Sequence, residues 1–233
     1  MLGKRTDWTF GPMKPMLEER GTPSGASGHY FHQDLLVARR IHKRNPRRHI
    51  DVGSRIDGFV AHVASFREIE IMDIRPPDTA IPNVKFLQMD MMGTLAPDQT
   101  AICDSLSCLH VLEHFGVGRY GDRIDPDGYK TGFANLVQML ETRGILYFSV
   151  PIGRQRIEFN AHRVFGLPYL LEIFKANGLE LLNYSYVNDS GNLIENVEIS
   201  QESIAVANDL AYGCGIFELK KAPQLVSSTI LIY

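Results

Sequence analysis

Hydrophobic and polar residues alternate along the chain with two different periods. From residue 30 to residue 41, apolar residues recur every three or four positions, which predicts an amphipathic helix that ends before Asn45 and Pro46. Beyond it, short β-type runs alternate with helical patterns, and the runs lie at 49–52, 69–74, 84–89, 104–109 and 145–150. This alternation predicts an α/β fold with a mainly parallel sheet and right-handed crossovers.

The two ends of the chain depart from this alternation. Gly and Pro interrupt residues 1–28, so we expect a loosely structured arm there and a single domain over residues 29–233. In the last third, a helix at 168–177 stops at Gly178, and strands at 179–187 and 215–220 are separated by a long polar loop. Two strands joined without a helix predict an antiparallel pair. The expected architecture is therefore a Rossmann-like, doubly wound, mostly parallel sheet with a C-terminal antiparallel strand pair.

Composition and charge exclude several classes of protein. The chain has 233 residues, 44% of them hydrophobic, and a formal net charge of -3, which fits one globular domain and gives no reason to expect nucleic acid as a partner. We interpret the basic cluster at 39–49 as a solvated helix end. No apolar stretch approaches the roughly 20 residues of a spanning helix, and residues 1–8 lack the apolar core of a signal peptide, so we expect a cytoplasmic protein without a membrane span. The 3 cysteines show no C-x-x-C spacing, which argues against a disulfide framework or a zinc cluster.

Residues 49–59 are the most informative stretch, because a β-run breaks there at Gly53 and resumes as a helical pattern. At the carboxyl edge of the sheet, the missing Cβ of Gly53 and the free amides of the next helix let an adenosine-bearing ligand approach. Asp73 ends the next β-run, where a carboxylate can accept both hydroxyls of a ribose. Asp90 follows the third run in the same relative place and, with Met91, would border an adenine ring. Gly and Asp are also ordinary turn formers, so it is their combined spacing that favours a site.

These stretches resemble the class I S-adenosylmethionine-dependent methyltransferases over about residues 30–220. The likeness is carried by Asp51-Val52-Gly53-Ser54, by Asp73, and by residues 104–109 leading into His110-Val111-Leu112-Glu113-His114. Runs at 107–114, 118–122 and 159–163 resemble more closely a methyltransferase-like family without an assigned function. The resemblance implies S-adenosylmethionine as cofactor, with these contacts: Asp51 and Gly53 around the methionine moiety, Asp73 at the ribose, Asp90 at the adenine, and Cys108, Leu109 and His110 beside the sulfonium. Ser54 is a further cofactor-binding candidate.

The chain departs from the broader family in its glycine-rich loop. Arg55 and Asp57 replace the usual glycines, and Gly58 is only a partial substitute. Arg55 either folds outward and leaves the ligand space intact, or points inward to pair with an anion, which would displace a positively charged cofactor. The spacing of Gly53, Arg55 and Gly58 also parallels the dinucleotide-binding fingerprint with its middle glycine replaced. A side chain at that position blocks the close approach of a pyrophosphate, which disfavours a nicotinamide dehydrogenase.

Histidines are the natural bases for a hydroxyl acceptor, whose proton must be removed during methyl transfer. His110 leaves the fourth β-run at the cofactor edge, and His162 lies in the segment that leaves the fifth strand at the same edge, so both are catalytic candidates. Each has a structural alternative, a turn former for His110 and a solvated loop residue for His162. For His114 the structural alternative is stronger, because with Glu113 it resembles a helix-start element of many methyltransferases.

Polar side chains are dense after the fifth predicted strand. Arg154, Asn160 and Arg163 are candidates for binding a phosphorylated or carboxylated acceptor, and a solvated loop bonded to its own backbone is the alternative. The glycine-rich loop at 115–128 predicts a flexible lid, in which Arg119 and Tyr120 are further acceptor-binding candidates. Its aspartates lack the spacing of a calcium loop, so no metal is predicted.

The leading hypothesis is a methyltransferase that acts on a small polar acceptor. A sugar or glycan-precursor hydroxyl is expected from the arginine-rich segment. The resemblance also implies a role in polysaccharide biosynthesis, because bacterial members of that family look associated with polysaccharide assembly. The alternative is a non-catalytic binding or scaffolding module on the same fold, motivated by Arg55 and Asp57. A nicotinamide oxidoreductase is the third hypothesis, and the antiparallel strand pair counts against it. The sequence does not indicate the oligomeric state.

Overall fold

The computed structural model describes residues 27–223, so the predicted arm at 1–28 lies almost entirely outside the described residues. The first elements are helix α1 (His29–Arg44), strand β1 (His49–Val52), helix α2 (Ala61–Ala64), strand β2 (Ile69–Asp73) and strand β3 (Val84–Gln88). The middle elements are β4 (Cys103–Leu109), α3 (Gly128–Met139), β5 (Leu140–Ile152), β6 (Arg156–Glu158) and β7 (His162–Val164). The last are α4 (Leu167–Ala176), β8 (Leu179–Val187), β9 (Leu193–Ile194), α5 (Gln201–Asp209) and β10 (Gly213–Lys221).

Eight strands form one sheet in the order β3-β2-β1-β4-β5-β10-β8-β9, and β6 and β7 form a separate pair. Strands β1 to β5 are parallel to their neighbours within this group. Strand β10 lies between β5 and β8 and is antiparallel to both. The expected parallel sheet with a C-terminal antiparallel pair is therefore confirmed. The strand order reverses between β1 and β4, which opens a crevice at their carboxyl ends.

Helices cover both faces of the sheet, and each face has its own apolar cluster. On one face, α1 buries Val37 and Ile41 beside Phe59, which follows β1. On the other face, Phe133 of α3 and Phe174 of α4 lie with ring centroids 5.8 Å apart. Burial of each such side chain contributes roughly 1.5–3 kcal/mol. Within residues 27–223, no helix combines the length and apolar character needed to cross a membrane.

The prediction of a long polar loop between β8 and β10 was wrong, because this segment contains β9 and α5. Ser200 caps the N-terminus of helix α5, and its hydroxyl accepts the N–H of Ser203 at 3.1 Å. Only Ala207 of this helix is buried. A helix with one buried residue has almost no apolar periodicity, so the hydrophobic pattern gave no signal for it. The other predicted strands and helices are present, several of them with shifted ends, most clearly β5, which begins at Leu140.

Candidate active site

One cavity lies where β1, β2, β3 and β4 end, and its volume is about 500 Å³. That volume is within the range of small-molecule sites in proteins. The lining residues come from the strand ends, from the start of α1 and from the loop before α3: Tyr30, Val52, Gly53, Arg55, Met72, Asp73, Ile74, Arg75, Met89, Asp90, Met91, Met92, Leu109, His110, Val111, His114, Phe115, Tyr120 and Asp122. The crossover topology therefore brings distant parts of the sequence to one place.

Gly53 forms the turn at the end of β1 and lines the cavity. Its φ of 67° lies in the left-handed region that glycine adopts without steric cost. A Cβ at this position would lie 2.8 Å from Cγ1 of Val111. Its N–H donates to the carbonyl of Met72 at 2.9 Å, which joins the turn to β2. Both the backbone conformation and the available space therefore require glycine.

Asp51 and Ser54 hold this turn in place and lie outside the cavity lining. Asp51 is fully buried, and its carboxylate accepts the N–H of Ser54 at 3.0 Å and the hydroxyl of Ser54 at 2.7 Å. The hydroxyl of Ser107 on β4 donates to the same carboxylate at 2.5 Å. Burial raises the pKa of Asp51 to about 6, although these hydrogen bonds favour the charged form. Contact of either residue with the cofactor stays a prediction.

The Arg55 side chain points outward at the rim of the cavity. Its Nη2 lies 2.8 Å from Oδ2 of Asp57, and its Nε donates to Oδ1 at 3.1 Å. The guanidinium carbon lies 5.0 Å from the ring centre of Tyr30, within cation–π range. Of the two orientations that the sequence allowed, the structure shows the outward one, so the two residues that replace glycines neutralise each other at the rim.

Asp73 and Asp90 line the cavity at the ends of the second and third strands, as predicted. Oδ1 of Asp73 accepts the N–H of Arg75 at 2.9 Å, and Oδ1 of Asp90 accepts the N–H of Met92 at 2.8 Å. Within residues 27–223, these bonds use one oxygen of each carboxylate. Met91 also lines the cavity and is 4% exposed. The other oxygen of each carboxylate is therefore available to a ligand in the cavity.

Two of the three residues predicted to stand beside a sulfonium, Leu109 and Cys108, differ in position. Leu109, the last residue of β4, lines the cavity. Cys108 is fully buried in the apolar cluster on the face covered by α3 and α4. Alternate residues of a strand point to opposite faces, so Cys108 packs on the face opposite to Leu109 and does not line the cavity.

His110 follows β4, has a φ of 56° and lines the cavity. Its Nδ1 lies 2.7 Å from Oε1 of Glu113, and both residues are buried. Within residues 27–223, its buried Nε2 has no hydrogen-bond partner. Burial disfavours the imidazolium, but the charges of Cys214 and Glu113 outweigh burial and raise the pKa of His110 well above its ordinary value. Glu113 is a site residue that the sequence suggested only as structural, although its spacing three residues from His110 was a usable signal.

The loop before α3 lies against the open side of the cavity. Nη1 of Arg75 donates to Oδ1 of Asp122 at 3.0 Å, which connects this loop to the end of β2. The Arg75 guanidinium also lies 5.3 Å from the ring centre of Tyr120. Tyr120 lines the cavity, whereas Arg119 packs on Tyr120 and donates to the carbonyl of Ala161 at 3.2 Å. The position of the loop suits a lid, and its movement stays a prediction.

His114 lines the cavity and is anchored to the hairpin formed by β6 and β7. Its Nδ1 lies 2.8 Å from the carbonyl oxygen of Ala161. Burial lowers the pKa of His114 against the opposing charge of Glu113. The ring is therefore fixed by the backbone, which fits the structural alternative for this histidine.

The candidates after β5 lie outside the cavity lining. Nε2 of His162 lies 3.2 Å from Oε2 of Glu158, its register partner in the hairpin. Arg163 is buried and donates from Nη2 to the carbonyl of Pro126 at 3.3 Å and from Nη1 to that of Phe115. These two side chains therefore hold the hairpin and the base of the loop.

Arg154 and Asn160 are exposed. Arg154 lines a separate, open pocket with Tyr169 and Glu172, and Asn160 lies between β6 and β7. The backbone explains this separation, because the chain folds back after β5 so that Phe165 pairs with Ile152. The polar side chains of this segment therefore lie outside the cavity lining, and their proposed contacts with an acceptor stay predictions.

Comparison with protein families identifies one matching model, described as "Caenorhabditis protein of unknown function, DUF268". It matches residues 88–212, just over half of the 233 residues. The match spans the end of β3, the loop before α3 and the hairpin. No curated protein matches the chain.

Solved structures show which fold this is. The 1,6-didemethyltoxoflavin-N1-methyltransferase of Burkholderia thailandensis, solved with 1,6-didemethyltoxoflavin and S-adenosylhomocysteine, has a TM-score of 0.57 and 16% identity over 82% of this chain and 79% of that chain. The N-methyltransferase NodS from Bradyrhizobium japonicum WM9, in complex with S-adenosylhomocysteine, has a TM-score of 0.55 and 12% identity over 84% and 89%. The cyclase SpnF has a TM-score of 0.58 and 17% identity over 82% and 80%. The fold is that of the class I methyltransferases, and the cyclase shows that this fold is not tied to one named reaction.

Proposed function

From the premise that this chain belongs to the DUF268 family, whose description gives no function, we propose that it is an S-adenosylmethionine-dependent methyltransferase. The acceptor in this proposal is a small polar molecule with an ionisable hydroxyl. One observation carries the proposal: Gly53, Asp73 and Asp90, from three successive strand ends, line a single cavity of about 500 Å³.

The residues present fit the cofactor. A Cβ at Gly53 would clash with Val111, another residue of the lining, so the glycine lets the cavity wall pack closely where a methionine moiety would bind. Asp73 offers a carboxylate oxygen for the ribose hydroxyls. At the rim, Arg55 is paired with Asp57 and Arg75 with Asp122, so both cations are already compensated where a positive sulfonium would bind. When bound, S-adenosylmethionine would supply a methyl group that is already activated for transfer.

His110 is the residue placed to take the proton of the acceptor, at pH values above its raised pKa, where the imidazole is neutral. Its unpartnered Nε2 belongs to a residue of the cavity lining, and Glu113 at Nδ1 would stabilise the imidazolium that forms. Val111 and Phe115 line the same side and reduce access of water. His162 stays a catalytic candidate from the sequence alone, because it lies outside the lining.

The saccharide acceptor and a role in polysaccharide biosynthesis remain predictions from the sequence. Their basis was the arginine-rich segment, and Arg154, Asn160 and Arg163 lie outside the cavity lining. Tyr120 is the predicted acceptor-binding residue that does line it. The proposal therefore requires a hydroxyl group on the acceptor, and it does not depend on an anionic group there.

Calorimetry with S-adenosylmethionine and S-adenosylhomocysteine tests the proposal. We expect both to bind the parent chain, and Asp73→Ala to weaken binding by about 10- to 100-fold, the effect of losing a charged hydrogen bond. Asp78→Ala, which removes an exposed carboxylate from the loop that follows β2, is the matched control and should leave the affinity unchanged. Failure of both ligands to bind at millimolar concentration, or an equal loss in the two variants, would contradict the proposal.

The alternative function is a non-catalytic module, and the Arg55–Asp57 pair at the cavity rim favours it. Arg55→Gly would then create affinity for S-adenosylhomocysteine that the parent chain lacks. A parent chain that already binds the ligand, with no gain in Arg55→Gly, would exclude that account of the substituted loop.

A further inference from the structure

Three side chains from distant elements meet beside the cavity. His29 begins α1, His110 follows β4, and Cys214 lies on β10. One ring nitrogen from each histidine and Sγ of Cys214 all lie within 4.8 Å of one another. Among residues 27–223, they are the group of histidine, cysteine and carboxylate side chains with the spacing to hold a metal ion. Two imidazoles and a thiolate form a ligand set that suits Zn²⁺.

His110 is oriented as metal-binding histidines usually are. Its Nδ1 lies 2.7 Å from Oε1 of the buried Glu113, and its buried Nε2 has no partner in the described part of the chain. A histidine that binds a metal through one nitrogen generally donates the other N–H to a carboxylate or a carbonyl, which fixes the ring and strengthens the ligand. Nε2 of His110 is therefore the nitrogen that is left to bind a metal ion.

His29 is held in a similar way from the other side. Its Nε2 lies 3.1 Å from the carbonyl oxygen of Tyr212, so its second nitrogen is the one left for a ligand. The His29 ring stacks on that of His110 with centroids 5.2 Å apart and planes 13° apart. Nearly parallel rings do not direct their lone pairs at one point, so His29 must turn to complete the site. It is only half-buried and is the first residue of its helix, which leaves it room to do so.

The charges around the three ligands would balance a divalent cation. Cys214 is fully buried and would bind as a thiolate, and Glu113 adds a second negative charge at the far side of His110. Together with Zn²⁺ they sum to zero, which removes the main cost of placing a metal in a buried site. With three protein ligands, a tetrahedral ion keeps a fourth position for a water or a substrate atom.

We propose that His29, His110 and Cys214 bind a Zn²⁺ ion whose fourth position is open to the cavity. The sequence predicted no metal, because its cysteines show no C-x-x-C spacing and its aspartates lack the spacing of a calcium loop. The inference shares one atom with the proposed function, Nε2 of His110. With the metal on that nitrogen, an acceptor hydroxyl at the fourth position would have its pKa lowered by the ion and would release its proton to water.

Titration of the chelator-treated full chain with Co²⁺, a spectroscopic substitute for Zn²⁺, tests the site. We expect one Co²⁺ per chain at about micromolar concentration, with the visible absorption of tetrahedral cobalt and a near-ultraviolet thiolate-to-cobalt band. Cys214→Ser should lose the thiolate band. Cys103→Ser, which alters a cysteine that is equally buried but outside the cluster, is the matched control and should keep it.

Two further variants keep the test informative should Cys214→Ser fail to fold. His29→Phe keeps the aromatic stacking and should lower Co²⁺ affinity at least about tenfold, whereas His32→Phe, three residues further along α1, should not. Glu113→Gln should lower it by about 10- to 100-fold, the usual effect of removing the carboxylate behind a ligating histidine. Absence of Co²⁺ binding in the parent chain, or a thiolate band that survives in Cys214→Ser, overturns the metal site.

The same protein samples separate this inference from the proposed function. S-adenosylhomocysteine binding is measured on the chelator-treated chain, so it reports on the cavity without the metal. Binding of S-adenosylhomocysteine without binding of Co²⁺ refutes the metal site alone. Binding of Co²⁺ without S-adenosylhomocysteine refutes the methyltransferase alone.

Discussion

Two groups of predicted site residues leave the same sheet, and only one of them lines the cavity. Gly53, Asp73 and Asp90, at the ends of β1 and β2 and just after β3, come together as the sequence predicted. Arg154, Asn160 and Arg163, all beyond the end of β5, do not. The first group lies at the ends of parallel strands, which meet at one edge of a sheet whatever the loops between them do. The second group depends on the path of a single irregular segment.

The difference teaches that strand order is a stronger guide to a site than polar density. The polar residues after β5 are used within the hairpin and at its contacts with the loop before α3, where Arg163 donates to Phe115 and Pro126. A cluster of arginines in a sequence can serve backbone carbonyls as well as ligands. Glycine and aspartate at successive strand ends have fewer such alternatives.

Substitution of Gly53 should have the largest effect on the strand-end group. In Gly53→Ala, the new Cβ meets Val111 at 2.8 Å in a backbone conformation with a φ of 67°, so we expect S-adenosylhomocysteine affinity to fall by about 100-fold or more. Gly178→Ala is the matched control, since its φ is 68° and a Cβ there meets nothing within 4 Å. Calorimetry measures the affinity, and urea unfolding should show a cost of about 1 kcal/mol for the control. Equal affinity in both variants would refute the close approach at Gly53.

Asp51 holds the turn after β1 without lining the cavity, so its contribution should appear in the free energy of unfolding. Its pKa is raised from 3.8 to about 6 by burial, so between these values the folded state holds a proton that the unfolded state has lost. Raising the pH through this window therefore lowers the free energy of unfolding, by about 3 kcal/mol at about 1.4 kcal/mol per unit. Urea unfolding of the parent and of Asp51→Asn at several pH values from 4 to 7 measures the effect. The free energy of unfolding of the parent minus that of Asp51→Asn should fall by this amount as the pH rises, because the other titrating groups are common to both proteins. A constant difference across that range rules out the raised pKa.

The two arginines of the second group should differ from each other. Arg163→Met leaves two carbonyls without their donor and should lower the free energy of unfolding by about 2 kcal/mol. Arg154→Met, at an exposed position, should change it by less than about 0.5 kcal/mol. Neither should alter S-adenosylhomocysteine affinity by more than about twofold. A large loss of affinity in Arg154→Met would bring this segment back into the site.

Most of the fold could be predicted from the sequence, because its strands and main helices bury whole faces. Residues 179–187 were predicted as a strand with the observed bounds, since Gly178 ends the preceding helix. Helix α5 was missed because it buries only Ala207. The turn at Gly53 was predictable because a strand, a glycine and a helical pattern follow one another locally.

The histidine and cysteine side of the site could not be predicted in the same way. Cys214 and His29 lie on β10 and at the start of α1, at nearly opposite ends of the chain. Their approach follows from the placement of β10 beside β5, a long-range pairing that local periodicity does not encode. Glu113 was overlooked because its role depends on the direction of the His110 side chain.

The place of β10 in the sheet has a consequence for biosynthesis. Strand β8 leaves the ribosome before β10 does, yet β10 lies between β5 and β8 and pairs with both. Until about residue 221 has been translated, β5 and β8 each present a bare edge that can pair with another chain. The nascent protein is thus most exposed to aggregation just before its last described strand emerges. Cys214 lies on that strand, so it reaches His29 and His110 only after β10 has paired with β5 and β8.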